Sequence, residues 1–278
     1  MQKASSTYCV DSGSLAEDIA NIRIEPIPAL SDNYIWLIHR AGNAAVVDPG
    51  DAAPVLSALN AAGLSLTAIL ITHHHADHQA GVTTLVEHWQ AEVFGPAAES
   101  IACLTHPLKG DEEIEIPGLA LPFFALSVPG HTRGHLAYYG AGSLFCGDTL
   151  FAGGCGRIFE GTPRQMSASL AALAGLPDGT HLCCAHEYTA ANLRFALAVE
   201  PGNSSLQRRA LEVAAMRENG EPTLPSLLAE EKATNPFLRC REPELIASVQ
   251  NFLARESLPP AQNEMEIFAA LRAWKDRF

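Results

Sequence analysis

The segment "THHHADH", residues 72–78, sets four histidines and an aspartate within seven positions, directly after the apolar run "TAILI". A cluster of imidazoles cannot be buried cheaply without partners. A divalent metal ion is a partner that takes imidazole nitrogens and carboxylate oxygens together, and this mixture suits Zn, Fe or Mn. In an extended chain, residues two apart face the same way, so His73 and His75 can converge on one ion. A turn after Ala76 lets Asp77 and His78 face a neighbouring position.

Three further motifs stand where apolar strands are expected to end. "PGHTRGH" offers His131 and His135, "LFCGDT" offers Asp148, and "CCAHEYT" offers His186. An unpaired carboxylate at the position of Asp148 would be costly, whereas one placed between two cations can bridge them and stay ionised. A lone histidine after a strand is usually structural, and a surface histidine run binds metal adventitiously, so each motif is weak alone. Together the four are specific.

The elements that must position these groups are legible in outline. From residue 22 the chain reads as short strands, "IRIEPI", "YIWLIH" and "AAVVD", the last closing on the turn signal "DPGD". "AAPVLSALNAAG" has helical spacing with a terminal glycine, "TAILI" is a strand, and "HQAGVTTLVEHW" reads as one helical stretch. Further strands fit "AEVFG", "FFALSV", "HLAYYG", "SLFCGD" and "THLCCA", with a helix around "PRQMSASLAALAGL". Strands mixed with single helices predict a layered α/β sandwich. After residue 190 the pattern changes to amphipathic helices: "AANLRFALAV", "SSLQRRALEVAAMREN", "EPELIASVQNFLARE" and "EMEIFAALRAWKDRF". The expected organisation is a loose polar tail over 1–21, an α/β domain over 22–190 and a small all-helical domain over 191–278.

Composition narrows the function classes. With 278 residues, 47% of them hydrophobic, the chain can bury a sizeable core. The longest apolar run, "LALPFFALSV", falls short of the about 20 residues that span a bilayer and carries a proline. The segment "MQKASSTYCVDSGSLAEDIAN" lacks a continuous apolar stretch and holds three acids, which argues against secretory and transit signals and for the cytosol. Seven cysteines without a CxxC read as reduced thiols. A net charge of −13 weighs against nucleic acid and anionic membranes as partners. The imbalance is uneven: residues 1–190 hold 7 Lys+Arg against 19 Asp+Glu, residues 191–278 hold 11 against 12.

The order "THxHxDH", "GHTxGH", "GD", "HEYT" resembles the metallo-β-lactamase superfamily of binuclear hydrolases. "DNYIW", "VVDPGD", "FCGDTLFAGGCGRIFEGTP", "CCAHEYT", "NPFLR" and "RAWKDRF" narrow this to a resemblance to the glyoxalase II, or hydroxyacylglutathione hydrolase, family, running from residue 24 to the C-terminus. The resemblance implies a four-layered αβ/βα sandwich with a C-terminal helical domain. It implies that His73, His75 and His131 hold one divalent ion, that Asp77, His78 and His186 hold a second, and that Asp148 bridges them, with zinc first in line and iron or manganese as alternatives. Asp77 and Asp148 are then the catalytic carboxylates around a metal-held hydroxide. His74 and His135 fall outside this ligand set, and His39, His88, His106 and His181 read as structural.

The same resemblance implies hydrolysis of S-D-lactoylglutathione and related 2-hydroxyacyl glutathione thioesters to glutathione and D-lactate, the second step of methylglyoxal detoxification. The chain is expected to act as a monomer. Arg157, Phe159, Tyr188, Arg272 and Lys275 match the glutathione-binding positions, although phenylalanine at 159 lacks the hydroxyl of some members. Arg272 and Lys275 lie three apart and can share one helix face in a partly exposed setting; without the resemblance they read as cations at a helix end. A thioester suits this machinery. Its thiolate, with a thiol pKa of about 8.5, leaves without a general acid, and the chain has no GxSxG nucleophile motif. Competing readings are a persulfide dioxygenase, lactonase or nuclease on the same fold, or a non-catalytic glutathione- or metal-binding protein. A single-iron dioxygenase needs no second ligand set, and a nuclease calls for more basic residues.

Overall fold

A computed structural model describes residues 21–278; the tail expected over residues 1–20 lies outside the described residues. Six strands form the first sheet, in the order β1 (Arg23–Ala29), β2 (Asn33–Arg40), β3 (Asn43–Val47), β4 (Ser65–Leu70), β5 (Glu92–Pro96) and β6 (His106–Leu108). The second sheet runs β14 (Ser226–Leu227), β13 (His181–Cys184), β10 (Ser143–Gly147), β9 (Leu136–Gly140), β8 (Pro122–Ser127) and β7 (Glu112–Glu115). A hairpin of β11 (Leu150–Phe151) and β12 (Gly154–Cys155) stands apart.

The period-2 alternation of the strands decides the layering. Trp36, Ile38, Ala45, Val47, Ala68 and Leu70 point into a core shared with Phe123, Ala125, Tyr138 and Phe145 of the second sheet. Their neighbours Ile35, Leu37, Ala44, Val46 and Ile69 point the other way, into a core with α1 (Ala52–Ala62) and α3 (Val82–Trp89). Polar ends of large side chains stitch the sheets together. Trp36 Nε1 donates to the Cys184 carbonyl at 3.0 Å and the Tyr138 hydroxyl donates to the Ile71 carbonyl at 2.7 Å. With α4 (Pro163–Ala174) adding Met166, Leu170 and Leu173 to the apolar cluster that includes the second sheet, the result is the four-layered sandwich.

One expected helix is two. The stretch read as continuous from residue 78 divides into α2 (Ala76–Gln79) and α3, with Gly81 between them. Gly81 N–H donates to the Pro49 carbonyl at 2.9 Å, and a Cβ at this glycine would lie 2.6 Å from Ala52 N. The chain bends where its backbone presses on the β3–α1 turn, a tertiary contact that periodicity does not encode.

The last third folds as α5 (Thr189–Val199), α6 (Ser204–Glu218), α7 (Leu228–Thr234), α8 (Pro243–Arg255) and α9 (Glu264–Lys275). Asn203 and Asn263 cap α6 and α9, each accepting from a backbone N–H three residues on at 3.1 Å. The region is helical apart from β14, which pairs with β13 and was not expected from the sequence. No helix among the described residues is long and apolar enough to cross a membrane.

The helical region is joined to the β11–β12 hairpin through Glu231, which is fully buried. Its carboxylate accepts from Arg209 Nη2, from Ser226 Oγ at 2.7 Å, from Gly153 N–H at 2.8 Å and from Asn235 Nδ2 at 3.2 Å. Removing one partner of a buried ion pair leaves the other uncompensated, at a cost of about 3–5 kcal/mol. Glu231→Ala is expected to lower unfolding stability by that order in urea, and Glu231→Gln by less; a Glu231→Ala protein with the parental midpoint would refute this role.

Candidate metal centre and adjoining pocket

All the ligand-type residues arrive at one edge of the two sheets. Asp48 follows β3, Thr72–His78 follow β4, Asp148 follows β10 and His186 follows β13, while His131 lies on the β8–β9 connection. Because β3 pairs parallel with β4, and β10 with β13, their C-terminal ends come out together. Gly147, the residue before Asp148, has φ +47°, and a Cβ there would lie 2.3 Å from Thr72 Oγ1. Glycine alone lets the two sheets' loops approach this closely.

Two trios converge. His75 Nδ1 lies 3.0 Å from both His73 Nε2 and His131 Nε2. Asp77 Oδ2 lies 3.5 Å from His78 Nε2 and 3.6 Å from His186 Nε2. Asp148 stands between the trios: Oδ1 is 3.5 Å from His78 Nε2 and 3.3 Å from His186 Nε2, and Oδ2 is 3.4 Å from His131 Nε2. The residues that the sequence singled out are therefore brought together, with His73, His78, His131 and His186 buried and Asp77 more open.

Hydrogen bonds on the outer ring nitrogens settle which nitrogen faces inward. His131 Nδ1 donates to the Arg157 carbonyl at 2.8 Å, and His186 Nδ1 to Asp32 Oδ1 at 2.7 Å. His78 Nδ1 donates to Asp48 Oδ2 at 3.0 Å. The Thr72 hydroxyl donates to the same Asp48 oxygen at 2.7 Å, so its own oxygen is left to accept from His73 Nδ1 at 3.0 Å. With the outer nitrogens protonated, the inner ones present bare lone pairs.

Several lone pairs aimed at one another need a cation between them. Burial, reinforced by neighbouring imidazoles, pushes His73, His75 and His131 down in pKa, so they stand neutral and ready to ligate. His78 shows the opposite. Burial opposes its charge, yet Asp148, Asp48 and Asp77 raise it to about 9. Burial also works against the charge of Asp148, but His78, then His186 and His131, hold its carboxyl well below the usual range. The second trio is thus a pocket of carboxylates that demands positive charge. His78 Nε2 and Asp148 Oδ1 are buried with no hydrogen-bond partner among the described residues. These orphaned atoms, and a donor set of imidazole and carboxylate, fit two divalent ions.

His135 and His74 lie beside the trios without entering either. His135 is fully buried; its Nε2 accepts the Asp148 backbone N–H at 3.2 Å, which orients the bridge. His74 faces Glu99 and Glu160 instead. His106 stacks on Phe94 with ring centres 4.3 Å apart. Sequence reasoning missed Asp48 and Asp32, which orient His78 and His186. The signal for Asp48 was present: like Asp148, it is an acid closing a buried apolar strand, but "DPGD" was read only as a turn.

A cavity of about 530 Å³ opens from His131 and Asp148 and is lined by all five expected binding residues, Arg157, Phe159, Tyr188, Arg272 and Lys275. Tyr188 stacks on His186 with centroids 4.7 Å apart, and burial, then Asp32, pushes its hydroxyl up to about 12. Phe159 is 63% exposed and presents its ring within 5.2 Å of that of His131. Arg272 departs from the partly exposed setting expected of it: it is 5% exposed. Its Nη1 donates to the Cys155 carbonyl at 2.8 Å and its Nη2 to Asp276 Oδ1 at 3.0 Å. The reason is tertiary: α9 packs against the β12 end of the hairpin, and that carbonyl takes a donor from the helix. Lys275 remains partly open, with Nζ 3.4 Å from the Ala191 carbonyl.

Comparison with known proteins identifies the family. Residues 30–186 match the metallo-beta-lactamase superfamily, and residues 187–278 match the hydroxyacylglutathione hydrolase C-terminus. A protein of Dechloromonas aromatica (strain RCB) named hydroxyacylglutathione hydrolase is 55% identical over 266 residues, covering 92% of this chain and 100% of its own. One of the same name from Methylobacillus flagellatus is 52% identical over 255 residues, covering 92% and 99%. Among solved structures, ETHE1 from Myxococcus xanthus superposes with a TM-score of 0.61 at 26% identity, over 91% of this chain and 97% of that one. The B3 metallo-beta-lactamase BLEG-1 shares the fold, with a TM-score of 0.59 at 22% identity over 78% and 99%. With both regions matched in order and relatives above half identity along nearly their whole length, the chain belongs to the hydroxyacylglutathione hydrolase family of the metallo-β-lactamase superfamily.

Proposed function

We propose that this protein hydrolyses S-D-lactoylglutathione and related 2-hydroxyacyl glutathione thioesters to glutathione and D-lactate. His73, His75 and His131 would hold one divalent ion, and Asp77, His78 and His186 a second, with Asp148 between them and zinc as the expected metal. The observation that carries the reading is the convergence of two ligand trios on one carboxylate at the head of a cation-lined cavity. The names of the relatives at 55% and 52% identity support the substrate. A mononuclear reaction such as persulfide dioxygenation would leave Asp77, His78 and His186 without work.

When bound, the pair of ions acidifies a water and polarises the thioester carbonyl. The chain's own residues do the rest. Asp77, its Oδ2 held by Asn33 Nδ2 at 3.2 Å, would accept a hydrogen bond from the attacking water and steer it. The water, having given one proton to solvent, adds to the carbonyl carbon; the C–S bond breaks, the sulfur departs as a thiolate that takes up a proton from solvent, and the new carboxylic acid releases its proton to solvent. The glutathione carboxylates meet Arg157 and Lys275, while Arg272 shapes the cavity wall by fixing Cys155. Tyr188 and Phe159 flank the reacting end. The cysteines of the described residues are all free, which supports a reducing compartment, the cytosol, as its setting.

The first test is loss of thioester absorbance with S-D-lactoylglutathione, together with elemental analysis. Two ions per chain and turnover are expected, and Asp148→Ala should lose most metal and most activity. Full turnover with one ion would sink the binuclear reading.

A second test uses pH. Burial, then the charges of Arg272, Arg194 and Arg157, lowers Lys275 to about 8, with Cys155 opposing. Lys275 is therefore cationic below that pH and neutral above it, so kcat/KM for the anionic thioester should fall as pH rises through about 8. Losing a charge-assisted contact of about 1.5–3 kcal/mol predicts roughly tenfold or more. Lys275→Arg keeps its charge and should move the fall to higher pH; an unchanged profile would remove Lys275 from substrate binding.

A further inference from the structure

We infer that Glu99 is a positioning residue that sets the loop carrying His73 and His75 against the loop carrying His131, and so builds the first ion site. This rests on the binuclear reading above. Glu99 follows β5, and its side chain is 4% exposed. Oε2 accepts the His74 backbone N–H at 2.7 Å and faces His74 Nδ1 at 2.9 Å. Oε1 accepts the Gly134 N–H at 2.8 Å and the Thr132 hydroxyl at 2.5 Å. His74 stands between two ligands of the first trio, and Thr132 directly follows the third.

One carboxylate thus takes two donors from each loop. An ionised carboxylate accepts at about four lone-pair sites and donates nothing, and here all four are used. The loops also meet too closely for a side chain at 134, where a Cβ would lie 2.6 Å from Glu99 Cγ. His74 extends the tie. Its Nε2 lies 3.2 Å from Glu160 Oε1, and the Glu160 N–H donates to the His131 carbonyl at 3.3 Å. His74, Glu99 and Glu160 lie close enough to hold an ion themselves. The donors already filling Glu99 argue instead for a tether.

The consequence is selective. The three nitrogens of the first trio belong to the two tethered loops, so a slip between the loops separates His131 from His73 and His75. The four hydrogen bonds of Glu99 all go to these loops, whereas the second trio is oriented by Asp48 and Asp32. Changes to groups that orient metal ligands typically cost 10–100-fold in affinity. In Glu99→Gln, one oxygen becomes an NH₂ that confronts a backbone N–H.

The test is chelator competition on the zinc-loaded full chain, with cobalt(II) absorption as a second readout, for wild type, Glu99→Gln and Thr132→Val. Glu99→Gln should weaken one ion by about 10–100-fold, leave the other near wild type, and alter the cobalt bands of one site only. Melting of the metal-free protein measures the general destabilisation from that buried NH₂, which would weaken both ions alike, whereas the tether predicts selective loss of one. Thr132→Val removes a single donor and should shift the same ion by less; it carries the test if Glu99→Gln does not fold. Equal weakening of both ions, weakening of neither, or a third ion lost with Glu99 would overturn the inference. Wild-type protein that takes up fewer than two ions would bring down the binuclear reading first, and this inference with it.

Discussion

The site depends on one buried carboxylate that is not itself a member of either trio. Asp48 accepts from the Thr72 N–H at 2.8 Å, from the Thr72 hydroxyl and from His78 Nδ1. Through Thr72 it dictates the tautomer of His73, and directly it dictates that of His78, so one residue orients a histidine of each trio. Its backbone sits at φ 54°, a conformation that few non-glycine residues adopt. Such strain persists where the surroundings over-determine it. Here they do: the Asp48 N–H is held by the Leu70 carbonyl at 2.9 Å, and Gly50 lies against Asp77 with no room for a Cβ.

The same logic explains why a four-layered sandwich suits this chemistry. Burying imidazoles and carboxylates is unfavourable unless each finds a partner. The parallel strand pairs deliver backbone and side-chain donors to one edge of both sheets, where the ligands are oriented from behind. Asp32, Asp48 and the Arg157 carbonyl each fix one histidine, and His135 fixes the bridge through its backbone. The pocket then draws Arg272 and Lys275 from the helical region, which carries nearly balanced charge, and Arg157 from the acidic α/β region that also carries the two trios.

What the sequence made legible followed from local pattern. Apolar runs of strand length, each closed by a histidine or acid, marked where Asp148, His131 and His186 would gather. Spacing by two placed His73 and His75 on one side of an extended chain. What stayed hidden was tertiary. Gly81 breaks a helix because of a turn far away in sequence. The strand "EEIE" carries too many acids to read as one, yet pairs with β8 at a sheet edge. Glu99 and Asp48 act on histidines 25 and 30 residues away in the chain, and no periodicity reports such a contact. Arg272, matched by resemblance to a glutathione-binding position and otherwise a helix-end cation, gave no sign of its hairpin partner 117 residues away.

The pairing of β14 with β13 reaches further than its two residues suggest. Leu182 pairs with Ser226 and His181 with Leu227, so a piece of the C-terminal third closes the edge of the second sheet. Beneath that cover run Leu182, Cys183 and Cys184, apolar and buried, leading directly to His186. A chain still emerging from the ribosome, or cut before residue 226, would present this strand with its backbone donors and acceptors unmatched. Open apolar edges recruit strands from other molecules. That edge is closed only once residues 226 and 227 are in place, so the α/β region is capped by the finished chain rather than by its own strands.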